Sequence, residues 1–118
     1  MKKVLIIDDD RIIRLLLAKL LNTEGFDVIF ADDGAKGLEK ILSGEVDIIL
    51  MDYNLGEMTA LDLLELMKKN NISKPVILIS AFDKKDIERT TGLFGVNEVV
   101  QKPFTNKELV ETVKKVIN

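Results

Sequence analysis

The residues of this sequence that could do chemistry are three acids, a hydroxyl and a lysine, each placed at or just beyond the end of a short apolar run: Asp8, Asp9, Asp52, Ser80 and Lys102. The chain contains no cysteine and no histidine. Disulfides and thiolate catalysis are therefore excluded, and so are the commonest general base and the commonest transition-metal ligand. The remaining chemistry depends on carboxylates, hydroxyls, lysine and a hard metal ion.

The three acids predict a magnesium site if the runs that end at Asp8 and Asp52 are adjacent strands, which lie about 4.8 Å apart. Crowded carboxylates repel one another and raise one another's pKa unless a cation is present. Mg²⁺ binds a few carboxylate oxygens together with waters and a substrate phosphate. A carboxylate beside such an ion can attack phosphorus and form an acyl phosphate, while a lysine and a hydroxyl neutralise the transferred oxygens.

Each residue taken alone has a simpler interpretation. The acids of 8–10 could be a solvated strand end or a helix cap, and Asp52 or Ser80 could cap a helix. Lys102 could be a surface lysine. Independent caps need not fall on one edge of a sheet in this order, so the joint placement favours a common site.

Apolar runs alternate with helical patterns along the chain. We predict strands at 4–7, 26–31, 46–51, 76–79 and 98–100, and helices at about 11–24, at 34–42, around 61–67, around 87–94 and around 109–117. Buried β-branched strands that alternate with helices favour a parallel sheet covered on both faces. With right-handed crossovers, the five units predict one doubly wound α/β domain over residues 1–118. Ligands bind beyond the carboxyl ends of such strands, where the five polar residues fall.

Composition narrows the function classes. The net charge is −3, from 17 basic and 20 acidic residues that are mixed along the chain, which argues against a dedicated nucleic-acid surface. No apolar run approaches the roughly 18 residues of a membrane span, and the N-terminus does not look like a signal peptide. We therefore expect a cytoplasmic protein that contacts neither nucleic acid nor membrane.

Four fragments of the sequence resemble the receiver domain of bacterial response regulators: Leu5–Asp10, Ile49–Asp52, Ile79–Ala81 and Gln101–Phe104. Each fragment is weak alone, whereas the four in this order and spacing are specific. The resemblance covers essentially the whole chain. It implies a flavodoxin-like fold with strand order 2-1-3-4-5, in which strands one and three are adjacent. It also implies a cis peptide bond before Pro103.

The resemblance implies that Asp52 is the phosphoacceptor. It would take the phosphoryl group from a phosphohistidine on a sensor kinase or a histidine phosphotransfer protein. Asp9, Asp52 and the main-chain carbonyl of Asn54 would bind Mg²⁺, and Asp8 would hold the ion mainly through water. No residue is assigned to an organic cofactor.

Lys102 would contact the phosphoryl oxygens, and Ser80 would move toward them. Three positions depart from the family pattern. Gly56 replaces the usual proline and Ala60 a frequent glycine, and both changes affect loop shape. Val99 replaces an aromatic residue whose ring normally swings inward as the hydroxyl moves. We therefore predict a weakened link to the family's usual contact face, formed by the fourth helix, fifth strand and fifth helix.

The resemblance implies a two-component or phosphorelay regulator that catalyses only its own phosphorylation and dephosphorylation. The sequence ends soon after the fifth helix, so we expect output through contact with an unknown downstream protein or onward phosphotransfer; a piece of a longer regulator would look the same.

Hydrolysis of the acyl phosphate needs an in-line water. Asn54 could orient this water, and Phe82 could cover its approach or pack against the fourth helix instead.

Two alternatives belong to other classes. A haloacid-dehalogenase-like phosphatase also uses an aspartate nucleophile with Mg²⁺, and 8–10 could mimic its Asp-x-Asp motif, but Asp52 would then be unexplained. A flavodoxin-like module could bind flavin or cobalamin. The cobalamin version normally supplies an axial histidine, which this chain lacks, and a flavin site does not account for the acid pair and the lysine.

Overall fold

A computed structural model describes residues 2–118 and shows a parallel sheet whose strands are separated by helices. The elements are β1 (Lys3–Ile7), α1 (Arg11–Thr23), β2 (Asp27–Ala31), α2 (Gly34–Leu42), β3 (Ile48–Asp52), β4 (Asn54–Leu55), β5 (Met58–Thr59), α3 (Ala60–Lys69), β6 (Val76–Ser80), α4 (Lys84–Thr91), a 3-10 turn (Gly92–Phe94), β7 (Glu98–Gln101) and α5 (Asn106–Ile117).

The five long strands are arranged in the order β2-β1-β3-β6-β7, and every neighbouring pair is parallel. This confirms the doubly wound sheet and the order 2-1-3-4-5. In the β1–β3 pair, Ile7 lies opposite Met51. The residues that follow them, Asp8 and Asp52, therefore lie at the same level at the carboxyl edge of the sheet.

The sheet is buried on both faces because its strands alternate side chains between two apolar clusters. Leu5 and Ile7 point into one cluster, whereas Val4 and Ile6 point into the other. Helices α2, α3 and α4 contribute buried residues to the first cluster, and α1 and α5 contribute to the second. Continuous burial explains why these strands have near-continuous apolar sequences.

Side-chain caps fix where the helices begin. The capping residues are Asp10, Asp33, Thr59, Asp83 and Thr105 for α1 to α5. In the acidic run 8–10 the helix cap is therefore the last acid only. Ser80 does not cap α4, since Asp83 does.

Two local features differ from the sequence predictions. The fourth helix ends at Thr91 and continues only as a 3-10 turn, because glycines at 92 and 95 disfavour an α-helix and Gly95 has a φ of +70°. The short hairpin β4–β5 was not predicted. Its two-residue turn begins with Gly56 at φ +83°, a conformation that the family's usual proline could not adopt.

Candidate functional site

Three carboxylates meet at the carboxyl edge of the sheet, as their positions at the ends of two apolar runs predicted. Asp8, Asp9 and Asp52 each offer an oxygen that lies within 4.8 Å of the other two. Asp8 is only 3% exposed, whereas Asp9 is exposed and Asp52 is half-buried. The set of donors is entirely carboxylate oxygen, which suits a hard divalent cation such as Mg²⁺.

Burial and charge make the metal-free cluster unfavourable. Burial raises the pKa of the Asp8 carboxyl; the backbone N–H of Asp10 opposes this by donating to the carboxylate, and the charge of Asp52 adds to the rise. Lys102 lowers the same pKa to a smaller degree. A cation bound among these oxygens would remove the repulsion.

Lys102 directly follows β7, and this position places its side chain beside Asp52. Its Nζ donates to Asp52 Oδ1 at 3.1 Å. Its backbone N–H donates to the carbonyl of Ser80 at 2.7 Å, which ties the end of β7 to the end of β6. The peptide bond between Lys102 and Pro103 is cis, as the resemblance implied.

Ser80 is buried at the end of β6, one residue beyond Ile79, which pairs with Asp52. Its Oγ accepts a hydrogen bond from the Phe82 backbone N–H at 3.0 Å. The hydroxyl therefore lies at the same edge of the sheet as the acids, and its oxygen accepts a hydrogen bond from its own loop.

Tyr53 is a neighbour of the site that was not predicted from the sequence. Its ring packs edge-on against Phe82, with centroids 5.9 Å apart and planes at 86°. Phe82 remains 53% exposed. Asn54, also exposed, begins the hairpin directly after Tyr53. The only sequence signal for Tyr53 is its position beside Asp52.

Arg14 is a second residue that was not predicted from the sequence, because it lies inside α1 among residues that repeat at helical spacing. Its Nη1 donates to the main-chain carbonyl of Asp8 at 2.7 Å. The guanidinium therefore contacts the backbone of the acidic loop and not its carboxylates.

A parallel α/β sheet with three acids and a lysine at its carboxyl edge defines a receiver-type module. The sequence profile of the response regulator receiver domain matches residues 4–114, and the chain belongs to this family. It is a receiver domain of two-component response regulators. Receiver domains are phosphoacceptors that bind Mg²⁺ and interact with histidine kinases or phosphotransfer proteins and with downstream effectors.

Individual relatives agree with this assignment. The chain is 34% identical over 118 residues to the transcriptional regulatory protein CpxR of Escherichia coli, with 99% of this chain and 50% of CpxR covered. It is 36% identical over 117 residues to the chemotaxis protein CheY of Pseudomonas aeruginosa, with 97% and 94% covered. The crystal structure of the response regulator TrrA from Thermotoga maritima in complex with Mg²⁺-BeF is 30% identical, with a TM-score of 0.86 and 98% and 99% covered.

The chain spans about half the length of CpxR and nearly all of CheY. These relatives support the receiver interpretation and not the phosphatase or the flavin or cobalamin module. Within residues 2–118, no helix is both long enough and apolar enough to cross a membrane.

Proposed function

We propose that Asp52 accepts a phosphoryl group from a phosphohistidine of a kinase or phosphotransfer protein in a Mg²⁺-dependent reaction. The contact between Asp52 and Lys102 beside two further acids carries this proposal. A carboxylate oxygen of Asp52 forms a bond to phosphorus as the phosphorus–nitrogen bond breaks. The electron pair of that bond leaves with the imidazole nitrogen, which takes up a proton from water, so that the partner regains a neutral histidine.

Asp9, Asp52 and the carbonyl oxygen of Asn54 would hold the magnesium ion, with Asp8 acting mainly through water. The all-oxygen cluster and the raised pKa of Asp8 support this assignment. Bound there, Mg²⁺ would neutralise charge on the acids and on the transferred phosphoryl oxygens.

Two side chains of the chain would respond to the new charge. Lys102 would keep its place near Asp52 and donate to a phosphoryl oxygen in place of the carboxylate. The hydroxyl of Ser80, now bonded to Phe82 N–H through its oxygen, would donate its proton to another phosphoryl oxygen. The proposed role of both residues is to stabilise the charge of the phosphorylated form.

The function is tested by incubating the protein with acetyl phosphate and Mg²⁺ and measuring its intact mass. The expected result is a gain of one phosphoryl group that is absent when EDTA replaces the metal. Steady turnover of a generic phosphate ester without such a gain would instead support the phosphatase alternative.

The phosphohistidine partner would dock on the first turns of α1. Ile12, Leu15 and Leu16 are large apolar side chains that are each about half exposed or more. Helix α1 starts directly after the acids of 8–10, two of which cluster with Asp52, so this apolar surface follows the acidic cluster in the chain. An apolar surface next to the reacting group suits a partner helix that presents its histidine to the site.

We expect phosphorylation to cause only small changes on the face formed by α4, β7 and α5, the proposed contact face for the downstream protein. Val99 is buried in the same apolar cluster as Ile87 of α4, and it has no ring that could swing between two positions. Amide chemical shifts with and without beryllofluoride and Mg²⁺ measure the change, with shifts around Asp52 as the internal control. Large shifts throughout the face would contradict the expectation that Val99 weakens the link between phosphorylation and this face.

Replacing Phe82 by alanine should speed the loss of phosphate several-fold, if the exposed ring excludes water from the in-line path. Tyr53 holds the ring edge-on beside the site. A several-fold change corresponds to somewhat less than the roughly 1.4 kcal/mol that gives a tenfold change in rate. The measurement is the decay of phosphorylated protein at fixed Mg²⁺ after removal of the donor. Leu93→Ala, which removes another exposed apolar side chain, is the control. Unchanged or slower decay in Phe82→Ala would rule out screening.

A further inference from the structure

The backbone of the acidic loop is held on both sides of Asp8. The Asp8 N–H donates to the carbonyl of Ala31 on β2 at 3.2 Å, and the Asp8 carbonyl accepts from Arg14 Nη1 at 2.7 Å. That carbonyl belongs to the peptide unit that joins Asp8 to Asp9. Asp9 is exposed, so packing does not fix its side chain, and this peptide unit sets the direction in which that side chain leaves the backbone.

We infer that Arg14 is a positioning residue for the cation site. By fixing the peptide unit between the two acids, it orients both carboxylates before a metal ion binds. This inference rests on the proposed Mg²⁺-dependent function. Hydrogen bonds from a charged donor are shorter and stronger than those from a neutral donor. Residues that hydrogen-bond to metal ligands commonly set the orientation of those ligands.

Arg14 lies close to residues that follow β2 and begin α2. Lys36 Nζ lies 3.2 Å from Asp32 Oδ1, and the hydrogen bond from Lys36 lowers the pKa of the Asp32 carboxyl. The positive charge of Arg14 lowers the same pKa to a smaller degree. Arg14, Asp32 and Lys36 line one surface cleft. Arg14 therefore contacts the acidic loop from the side of this cleft.

Loss of Arg14 would have two opposite effects on cation binding. Removing its positive charge would favour a cation, but only weakly, because a partly exposed charge is screened by water and salt. Removing its hydrogen bond would free the peptide unit, which would then have to be ordered when the ion binds. We expect the second effect to be larger and the Mg²⁺ dissociation constant to rise about fivefold, roughly 1 kcal/mol.

The test compares Arg14→Met with Arg11→Met. Arg11 lies in the first turn of the same helix and is exposed, so its replacement removes the same charge from the same region. Mg²⁺ is titrated into each protein while the amide shifts of residues 8–10 and 52 are followed. The expected result is about fivefold weaker binding in Arg14→Met and unchanged or slightly tighter binding in Arg11→Met. Arg14→Lys, which keeps a charged donor, should recover part of the loss.

A measurement without metal separates this inference from the proposed function. The Asp10 N–H donates to Asp8 Oδ1 at 2.9 Å, so its hydrogen exchange in EDTA reports on the order of the loop. We expect faster exchange of this amide in Arg14→Met but not in Arg11→Met, with unchanged exchange in the core strand β6. Equal exchange and equal Mg²⁺ affinity in the two variants would overturn the inference. Absence of Mg²⁺ binding by the unaltered protein would instead contradict the proposed function, while the exchange result would still test Arg14.

Discussion

Replacement of Asp52 by asparagine should reduce phosphorylation by acetyl phosphate at least about a thousandfold, to below detection by intact mass. An amide oxygen is neutral and cannot form a stable acyl phosphate, whereas the Asp52 carboxylate lies beside Lys102 and two further acids. The shape of the side chain is nearly unchanged. The expected loss therefore reports on the chemistry of the acceptor and not on packing.

Asp27→Asn provides the matched control for this change. Asp27 is exposed at the first residue of β2, and parallel strands place that end of the sheet opposite the acids. This variant should gain one phosphoryl group as the unaltered protein does. A phosphoryl group found on Asp52→Asn would mean that another residue is the acceptor, and peptide mapping of the modified protein would identify it.

The second large effect concerns Asp9→Asn, which should lose phosphorylation yet leave the metal-free fold as stable or more stable. The substitution removes a proposed metal ligand and also removes one of three crowded negative charges. Acetyl phosphate labelling measures the first effect, and urea unfolding in EDTA measures the second. A clear drop in the free energy of unfolding would indicate that Asp9 has a structural role.

Mg²⁺ and pH give controls on the same protein. A ligand that binds the folded state alone raises stability, so Mg²⁺ should raise the melting temperature of the unaltered protein and not that of Asp9→Asn. The raised pKa of Asp8 means that the folded state binds a proton more readily than the unfolded chain. The stability that this group contributes is therefore full below the unfolded-state pKa and is lost as the pH rises through the folded-state pKa. Mg²⁺ should reverse that loss at neutral pH.

Much of the fold follows from local sequence. Runs such as 4–7 and 76–79 are apolar at every position, which suits strands buried on both faces, and the helices between them keep apolar residues at helical spacing. This alternation predicts a parallel sheet, and all carboxyl ends of a parallel sheet lie at one edge. The sequence could therefore place the acids, the hydroxyl and the lysine at one edge without any knowledge of their distances.

Only the tertiary structure decided which of these residues meet. Asp52 and Lys102 are 50 residues apart in the chain, and their contact depends on strand order and on where β7 ends. The same holds for the hydrogen bond from Arg14 to Asp8 and for the packing of Tyr53 against Phe82, which no spacing predicts. A residue's local pattern reports whether its side chain is buried and in which element it lies. Its partners across the sheet are determined by crossovers and packing, which bring together residues that share no sequence pattern.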